Sequence, residues 1–513
     1  MNLKDLNVIS IQDDSFIAEI CLLYLFTDRK KEFQGILSKL KIASDGSGKL
    51  TLRDILEISS ESLKDWTPQT TGDLPCHFLR KVMALNGTAR STNLVQKTPN
   101  HQGCSEEGQI AGFDIFSLAD INASDSLHPL DVLCAVLLCS DTFLQQEILS
   151  KMSMCQFALP LLLPALDPSK CTLTLWAVRD IVRKWRPHSL AQSRGFREES
   201  LVLMSMPTIS FVRLGSCSFS KSKLLNEVLS PSQQHHDFFI HRDMESGNVP
   251  REIADGLVEI SWYFPAGREN SDLFPEPVVV TNLRGDIESH WLQFSFVTQV
   301  SSAVFIVTEN IGEREYALLS SLQGSDIKYY FTLHCNSGKI KESLGFLNQL
   351  APVLKLDKSH LLMRENTRSN AGFVSKLQST IGSIRSSTSK IVNLEDLAVT
   401  ARELGIQVDE DCEECQSARK CTEEITEEIK DVATYKRKTL RCQGDLWKRL
   451  VKVEKELCQM KWQGPTSIED YKSEWKEKLW GLCRRQNQCD LTEGMAEFIK
   501  GIGHLFPNLS RLF

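Results

Sequence analysis

Up to about residue 90, apolar residues recur three and four positions apart over Phe16 to Phe26, Glu32 to Ile42, Leu52 to Trp66 and Leu74 to Leu85. That spacing predicts short amphipathic helices, since a period of about 3.6 residues places such positions on one face. Thr51 followed by Asp54 fits a helix start. An N-terminal helical region over residues 1–87 results. From Thr88 to Gly112 large apolar residues nearly vanish in favour of Ser, Thr, Asn, Gln and Gly. Too little apolar surface is present to offset chain entropy, so 88–126 reads as a mobile linker. Apolar stretches around Leu133, Phe143, Ile148 and Phe157 then predict a helical block over 127–200, with Pro160 and Pro164 capping or kinking the helix before them. The basic run Arg179 to Arg186 comes late in that block.

From about Met204 the pattern changes to apolar runs of four to eight residues alternating with helical segments. This alternation is the signature of an α/β domain with a largely parallel sheet. Strands are expected at Ile209 to Leu214, Leu257 to Phe264, Val278 to Leu283, Ala303 to Thr308, Tyr329 to Leu333 and Leu361 to Met363. Helices are expected at Lys221 to Leu229, Glu313 to Leu322, Lys341 to Leu350 and Gly372 to Ile384. The domain spans 204–390, and a serine-rich hinge, Ser383 to Ser389, closes it. Residues 393–513 read as a charged helical domain, acidic from Asp409 to Glu428 and basic from Lys436 to Lys461. Such runs are ordinarily solvated faces, but opposite signs also suit antiparallel pairing or a partner of opposite charge.

The segment from Phe211 to Asn226 carries the candidate chemistry. It has the layout of a phosphate-binding loop between a strand and a helix, G-x-x-x-x-G-K-[ST], with Gly215, Lys221 and Ser222 in place and Ser220 where the second glycine belongs. That glycine lets consecutive N–H groups curl around phosphates, so Ser220 weakens the cradle. Lys221 still suits a β- or γ-phosphate and Ser222 suits Mg²⁺. A GTPase also needs a DxxG motif, and here Asn282-Leu-Arg-Gly285 keeps the glycine but replaces the carboxylate by an amide. The base-reading N/T-K-x-D is represented by His334-Cys-Asn-Ser-Gly-Lys339, without a carboxylate, and no switch threonine stands out between Ser230 and Gly256. The fold class is therefore α/β plus all-α: a degenerate P-loop GTPase-like domain with helical domains on both sides. Gly215, Ser220, Lys221, Ser222, Asn282 and Gly285 are the candidate nucleotide-binding residues. None is assigned as catalytic.

Two further clusters match no closed metal motif. His235-His-Asp237 with His241 and Asp243 lies in the switch-like loop, and Cys412-Glu-Glu-Cys415 has no second CxxC pair, only Cys421 and Cys442. No metal site is expected. Composition narrows the class further. A net charge of −7 and a pI near 6.0 argue against a general nucleic-acid binder. Sixteen cysteines follow a start without a signal-peptide run, which points to reduced thiols in the cytoplasm. The runs Asp131 to Cys139 and Phe157 to Leu163 fall short of the about 20 residues that span a bilayer.

Several long strings carry a family resemblance: Leu257-Val-Glu-Ile-Ser-Trp-Tyr-Phe-Pro265, Phe274 to Asp286, Ser289-His-Trp-Leu-Gln293 and Val300 to Ile306. So do Leu127-His-Pro-Leu-Asp131, Cys155 to Pro160, Lys221-Ser-Lys-Leu-Leu-Asn226 and Val408 to Gln416. They closely resemble the up-regulator of cell proliferation and interferon-inducible very large GTPase family, from about Leu52 to Gly501. The resemblance implies that the intact GxxxxGKS loop lies in a separate downstream G domain, so no catalytic residue carries over. It further implies the N-terminal regulatory or scaffold half of a larger member, or a short paralogue, cytoplasmic and in some members nuclear. The expected function is a non-catalytic regulator or scaffold that binds proteins, family relatives or its own copies among them, without a certain cofactor. The alternative is a GTP-binding protein or weak GTPase that uses GTP and Mg²⁺ at loop 215–222. A third expectation makes the C-terminal helices a coiled-coil dimer arm.

Overall fold

The computed structural model describes residues 29–42, 49–56, 67–94, 126–165, 167, 170–193, 195–231, 234–268, 270–324, 327–334, 340–364, 370–427, 429–440, 444–459, 464 and 467–505. The chain divides into two compact units, Met1–Asp409 and Glu410–Phe513. The first begins with α1 (29–39), α2 (Leu52–Leu56), α3 (Leu74–Met83), α4 (Pro129–Cys139) and α5 (Thr142–Met154). The helix expected at Phe16 to Phe26, residues 57–66 of that expected at Leu52 to Trp66, and 95–125 of the linker lie outside the described residues.

Eleven strands follow among the described residues: β1 (Leu159–Pro164), β2 (Cys171–Leu173), β3 (Val182–Trp185), β4 (Arg197–Ser200), β5 (Thr208–Arg213), β6 (Val258–Tyr263), β7 (Val278–Leu283), β8 (Ala303–Thr308), β9 (Lys328–His334), β10 (Leu361–Arg364) and β11 (Gln407–Val408). Nine of them form one sheet in the order β10-β9-β8-β5-β7-β6-β1-β2-β11, and β3 and β4 make a separate antiparallel pair. Pairs β10–β9, β9–β8, β8–β5, β5–β7 and β2–β11 are parallel, whereas β7–β6, β6–β1 and β1–β2 are antiparallel. The crossovers are α6 (Lys221–Leu229), α7 (Trp291–Val300), α8 (Glu313–Ser320) and α9 (Ile340–Leu354), followed by α10 (Asn370–Ser387) and α11 (Leu394–Glu403). The chain is thus mixed α/β, with a large, parallel-rich sheet and many helices.

Strands β7 and β8 are buried along their whole length, as expected of parallel strands covered on both faces. Alternation divides the side chains between two cores. On one side Ile209, Phe211, Val280 and Phe305 meet Leu225 and Val228 of α6 and Leu377 and Ile381 of α10. On the other Val212, Val279, Val304 and Ile306 meet Phe294 and Val297 of α7 and Leu350 of α9. Phe211, Phe305 and Tyr330 stand in register on β5, β8 and β9 and stack at centroid distances of 4.7 and 4.8 Å. Such cross-strand aromatic pairs add to sheet stability beyond the area they bury.

Three expectations are corrected. The helical block over 127–200 holds only until Met154, after which Leu159–Pro164 is a strand. A six-residue apolar run buried on both faces has no period that separates helix from strand. Pro160, which lacks an N–H for the ladder, sits beside a register shift in the β1–β6 pairing. The hinge expected at Ser383 to Ser389 is helical through Ser387, because Ile381 and Ile384 anchor that end of α10 in the core. The unit boundary falls after Asp409 rather than near Asn393. Leu394, Leu397 and Ala401 of α11 are buried, and the Asp409 carboxylate accepts the N–H groups of Leu175, Trp176 and Ala177.

The second unit contains α12 (Glu413–Glu427), α13 (Val432–Thr439), α14 (Asp445–Gln459), α15 (Ile468–Asn487) and α16 (Glu493–Leu505). Helices α14 and α15 pair, and α12 pairs with α16, where a side chain on Gly501 would meet Cys421 Cβ at 3.5 Å. No helix among the described residues is long and apolar enough to cross a membrane.

Candidate functional site

The strand β5 lies between β7 and β8, and crossovers leave it on both sides. In an open α/β sheet, that switch point at the carboxyl ends of the strands is where a crevice opens for ligands. The loop after β5 begins with Gly215 at φ +72°, in the left-handed region that favours glycine, with nothing within 4 Å of where a Cβ would stand. Ser220 is the N-cap of α6 at φ −83°, and its Oγ accepts the Lys223 N–H at 3.3 Å. The residue that departs from the motif therefore occupies a position at which serine is favoured.

Most polar groups here already pair within the chain, whereas Asn282 Oδ1 and Arg284 Nη2 are buried without a partner. Lys221 is buried and turns back to the sheet, donating to the carbonyls of Phe211 at 3.1 Å and Leu283 at 2.5 Å. Burial, with Arg284 and Arg213 nearby, pushes its pKa far below the usual lysine value. Ser222 Oγ accepts from Arg284 Nη1 at 2.8 Å and from Asn282 Nδ2 at 3.2 Å. Both donors also reach Glu259 Oε2, Arg284 Nε at 2.5 Å and Asn282 Nδ2 at 3.0 Å. The Glu259 and Arg284 side chains are 2% and 6% exposed, so this is a buried ion pair. Two more carboxylates take N–H groups of the loop: Asp286 accepts from Gly215, and Glu309 accepts from both the N–H and the hydroxyl of Ser218. Burial acts to raise the Glu309 pKa, but the Ser218 hydrogen bonds outweigh it and the net shift is downward.

Gly285 has a structural job. At φ +86° it lets the His290 ring close in, and a Cβ there would lie 2.6 Å from His290 Cδ2. Gly256, at φ +91°, faces the other edge of the same ring, with Nδ1 at 2.9 Å from its would-be Cβ. Burial lowers the His290 pKa.

The long connection between α6 and β6 is pinned from several sides. Asn226 brackets Phe239, donating to its carbonyl and accepting its N–H, both at 2.8 Å, and reaches Asp237 Oδ1 at 3.1 Å. Asp237 also receives His235 Nε2 at 3.0 Å, with His241 Nε2 at 3.5 Å, while Asp243 pairs with Lys223 at 2.8 Å. His235 and His241 are thus partners of one carboxylate, while His236 Nε2 lies 3.1 Å from the Gln156 carbonyl. Residues 88–94, expected to belong to the mobile linker, are instead packed: Ala89 and Thr92 are buried, and Arg90 lies 3.8 Å from the Phe157 ring centroid and donates to the carbonyls of Asp237 and Phe238. Ser91 and Asn93 hold Glu245. Asp131 accepts the N–H groups of Glu252, Ile253 and Ala254 at 2.8 to 3.0 Å, and Arg29 donates to the carbonyls of Ile253 and Asp255. His128 caps α4, its Nδ1 accepting the Leu130 N–H at 3.0 Å; burial, and then Arg251 and Arg284, lower its pKa to about 3.

Of the six residues singled out in sequence, Lys221, Ser222 and Asn282 converge on one network, Gly215 and Ser220 shape the loop above it, and Gly285 serves His290. Glu259, Arg284 and Glu309 were missed. A signal existed for the first, because a carboxylate inside the apolar strand Val258-Glu-Ile-Ser-Trp-Tyr263 needs a buried partner. Cys415 is buried, Cys412 Sγ lies 3.9 Å from Glu414 Oε2, and Cys442 and residues 335–339 lie outside the described residues.

Comparison with known proteins gives the geometry a lineage. The up-regulator of cell proliferation from Bos taurus is 47% identical over 489 residues, 93% of this chain and 53% of that protein. Caspase recruitment domain-containing protein 6 from Homo sapiens is 42% identical over 398 residues, 76% of this chain and 37% of its own length. Interferon-induced very large GTPase 1 from Mus musculus is 28% identical over 478 residues, 88% of this chain and 19% of its own. The chain spans about half the length of the up-regulators it matches. An N-terminal family model, up-regulator of cell proliferation-like, N-terminal domain, matches residues 33–109. With the up-regulator of cell proliferation-like domain model matching residues 127–426, more than half of the sequence, the chain belongs to the up-regulator of cell proliferation-like family.

Proposed function

We propose that this chain is a non-catalytic, pseudo-GTPase-like regulator that acts through protein contacts. One observation carries the reading: Lys221, the Ser222 hydroxyl and the N–H groups of Gly215 and Ser218, which would meet a nucleotide and its metal, are already paired within the chain, although Asn282 Oδ1 and Arg284 Nη2 beside them have no partner. Lys221 is bound to main-chain carbonyls, Ser222 holds a guanidinium instead of a cation site, and Asp286 and Glu309 take loop N–H groups that phosphate oxygens would need. GTP would have to displace two carboxylates of its own sign, and Mg²⁺ would have to enter beside Arg284. The residues present do not fit either group. The pinned connection between α6 and β6 supports the same reading, because a switch must exchange between two arrangements. The run from β5 to β10, with β6 as the antiparallel neighbour of β7, fits the GTPase-like plan expected from sequence. We extend to this chain the theme of its relatives' names, regulation of cell proliferation, and a cytoplasmic and nuclear location.

The test is titration of the full chain with a fluorescent, non-hydrolysable GTP analogue and Mg²⁺, beside Lys221→Ala and with ATP as competitor. No saturable binding is expected up to about 1 mM, an affinity weaker than about 4 kcal/mol. Saturable binding that disappears in Lys221→Ala would overturn the proposal and make the chain a nucleotide-binding protein.

A further inference from the structure

The second unit carries large apolar side chains on its surface. Trp480 is 67% exposed, Trp447 46% and Ile468 66%. Trp447 stands twelve residues before the end of α14 and Trp480 twelve after the start of α15. The two helices pair, and each carries one of these exposed indoles. Large aromatic side chains of this kind are the usual anchors of protein interfaces.

Exposed charge on the same unit is weighted by helix. Helix α12 exposes Glu413, Glu414, Glu423, Glu424 and Glu427 against Arg419 and Lys420, α13 exposes Lys436, Arg437 and Lys438, and α14 exposes Lys448, Arg449, Lys452 and Lys455 against Asp445 and Glu454. Among the described residues no ion pair joins α12 to α13 or α14; Glu423 pairs with Arg419 of its own helix, and Lys448 with Asp445 of its own. Inside one unit α12 and α13 both pack on α16, and α14 packs on α15.

We propose that the occupant of this face is a second copy of the chain. A twofold interface brings every contact in twice, so a surface that carries both signs is complementary to itself: α12 of one copy meets α13 and α14 of the other, with the tryptophans at the contact. This rests on the protein-contact reading above and names the partner. A wholly acidic or wholly basic protein would match only one half of the surface.

The experiment is sedimentation of the full chain at about 0.1 M and about 1 M salt, between which the screening length falls from about 10 Å to about 3 Å. A dimer is expected at tens of micromolar, weakened at least about tenfold at the higher salt. Glu423→Lys with Glu424→Lys, and Lys452→Glu with Lys455→Glu, should each weaken the dimer. All four changes together should restore it. Trp447→Gln with Trp480→Gln should give a monomer. These sites are exposed, and unchanged helicity by circular dichroism confirms that each variant is folded. A wild-type chain that stays monomeric at about 100 µM and low salt, or a dimer indifferent to the charge reversals, would overturn the second copy as occupant. The GTP titration, run on the same preparations, separates the two readings. Nucleotide binding by a salt-sensitive dimer removes only the pseudo-GTPase reading, and a monomer that binds no nucleotide removes only the dimer.

Discussion

The α/β unit and the C-terminal helical unit apply the same rules to opposite ends. In the first, the crevice at the switch point of the sheet is largely paired by the chain's own groups, with Lys221 on carbonyls, Arg284 between Ser222 and Glu259 and carboxylates on the loop N–H groups, and with Asn282 Oδ1 and Arg284 Nη2 left without a partner. In the second, the buried apolar side chains among the described residues are Cys415, Leu450, Val453, Tyr471 and Leu482, while Trp447, Ile468, Trp480, Leu491, Phe498 and Ile499 are exposed. A buried polar group without a partner is costly, which favours pairing within the chain. Exposed apolar surface costs less per group and is tolerated until a partner covers it. The contrast places most of the internal pairing in the crevice and exposed apolar surface in the helices.

The sharpest way to break this comparison is Arg284→Ala, which leaves the Glu259 carboxylate buried without its cation. Removing one member of a buried pair costs about 3–5 kcal/mol. Amides of β5, β6 and β7 should lose hydrogen-exchange protection by about a hundredfold to a few thousandfold, with α14 and α15 unchanged. Glu259→Leu with Arg284→Leu should recover most of the loss, since a pair of apolar residues carries no desolvation penalty. Equal loss in both units would mean that they are energetically one.

A smaller effect follows from His128. Its folded pKa, about 3, lies below the about 6.5 of an exposed histidine. Between those values the unfolded chain binds the proton and the folded one does not. Its contribution is therefore complete above about pH 6.5 and is lost as pH falls toward 3, at up to about 1.4 kcal/mol per pH unit. His128→Asn keeps a cap acceptor for Leu130 without a titrating group. Urea midpoints measured from pH 7 to pH 4 should fall less steeply in that variant, and parallel curves would refute the assignment. The smallest effect is expected at Trp480. Because the indole is mostly exposed, Trp480→Gln should change the stability of the monomer by no more than about 0.5 kcal/mol. A larger loss by thermal melting would mean that the indole belongs to the core of its own unit.

Much of the central sheet was legible. Val278 to Leu283 and Ala303 to Thr308 are strands with the bounds expected from their apolar runs, and Lys221 to Leu229 is a helix as expected. Runs bounded by turn residues leave little choice of element. Leu159–Pro164 was not legible, because an apolar run without a period suits a buried helix as well as a strand. The site was legible as a place and not as a state. Gly215, Lys221 and Ser222 marked the loop after β5. That Ser220 is a cap and that Gly285 makes room for His290 are visible only in three dimensions.

The sequence by itself determined local matters: where α6 starts, which runs are strands, which segments are acidic or basic, and which family strings are present. These depend on neighbours within a few residues, and short-range periodicity and capping report them. Only the tertiary structure decided what the loop holds. Ser222 meets Arg284 across 62 positions of chain, Gly215 meets Asp286 across 71, and Ser218 meets Glu309 across 91. Pairings at such separations depend on the order and register of the strands, which no local pattern encodes.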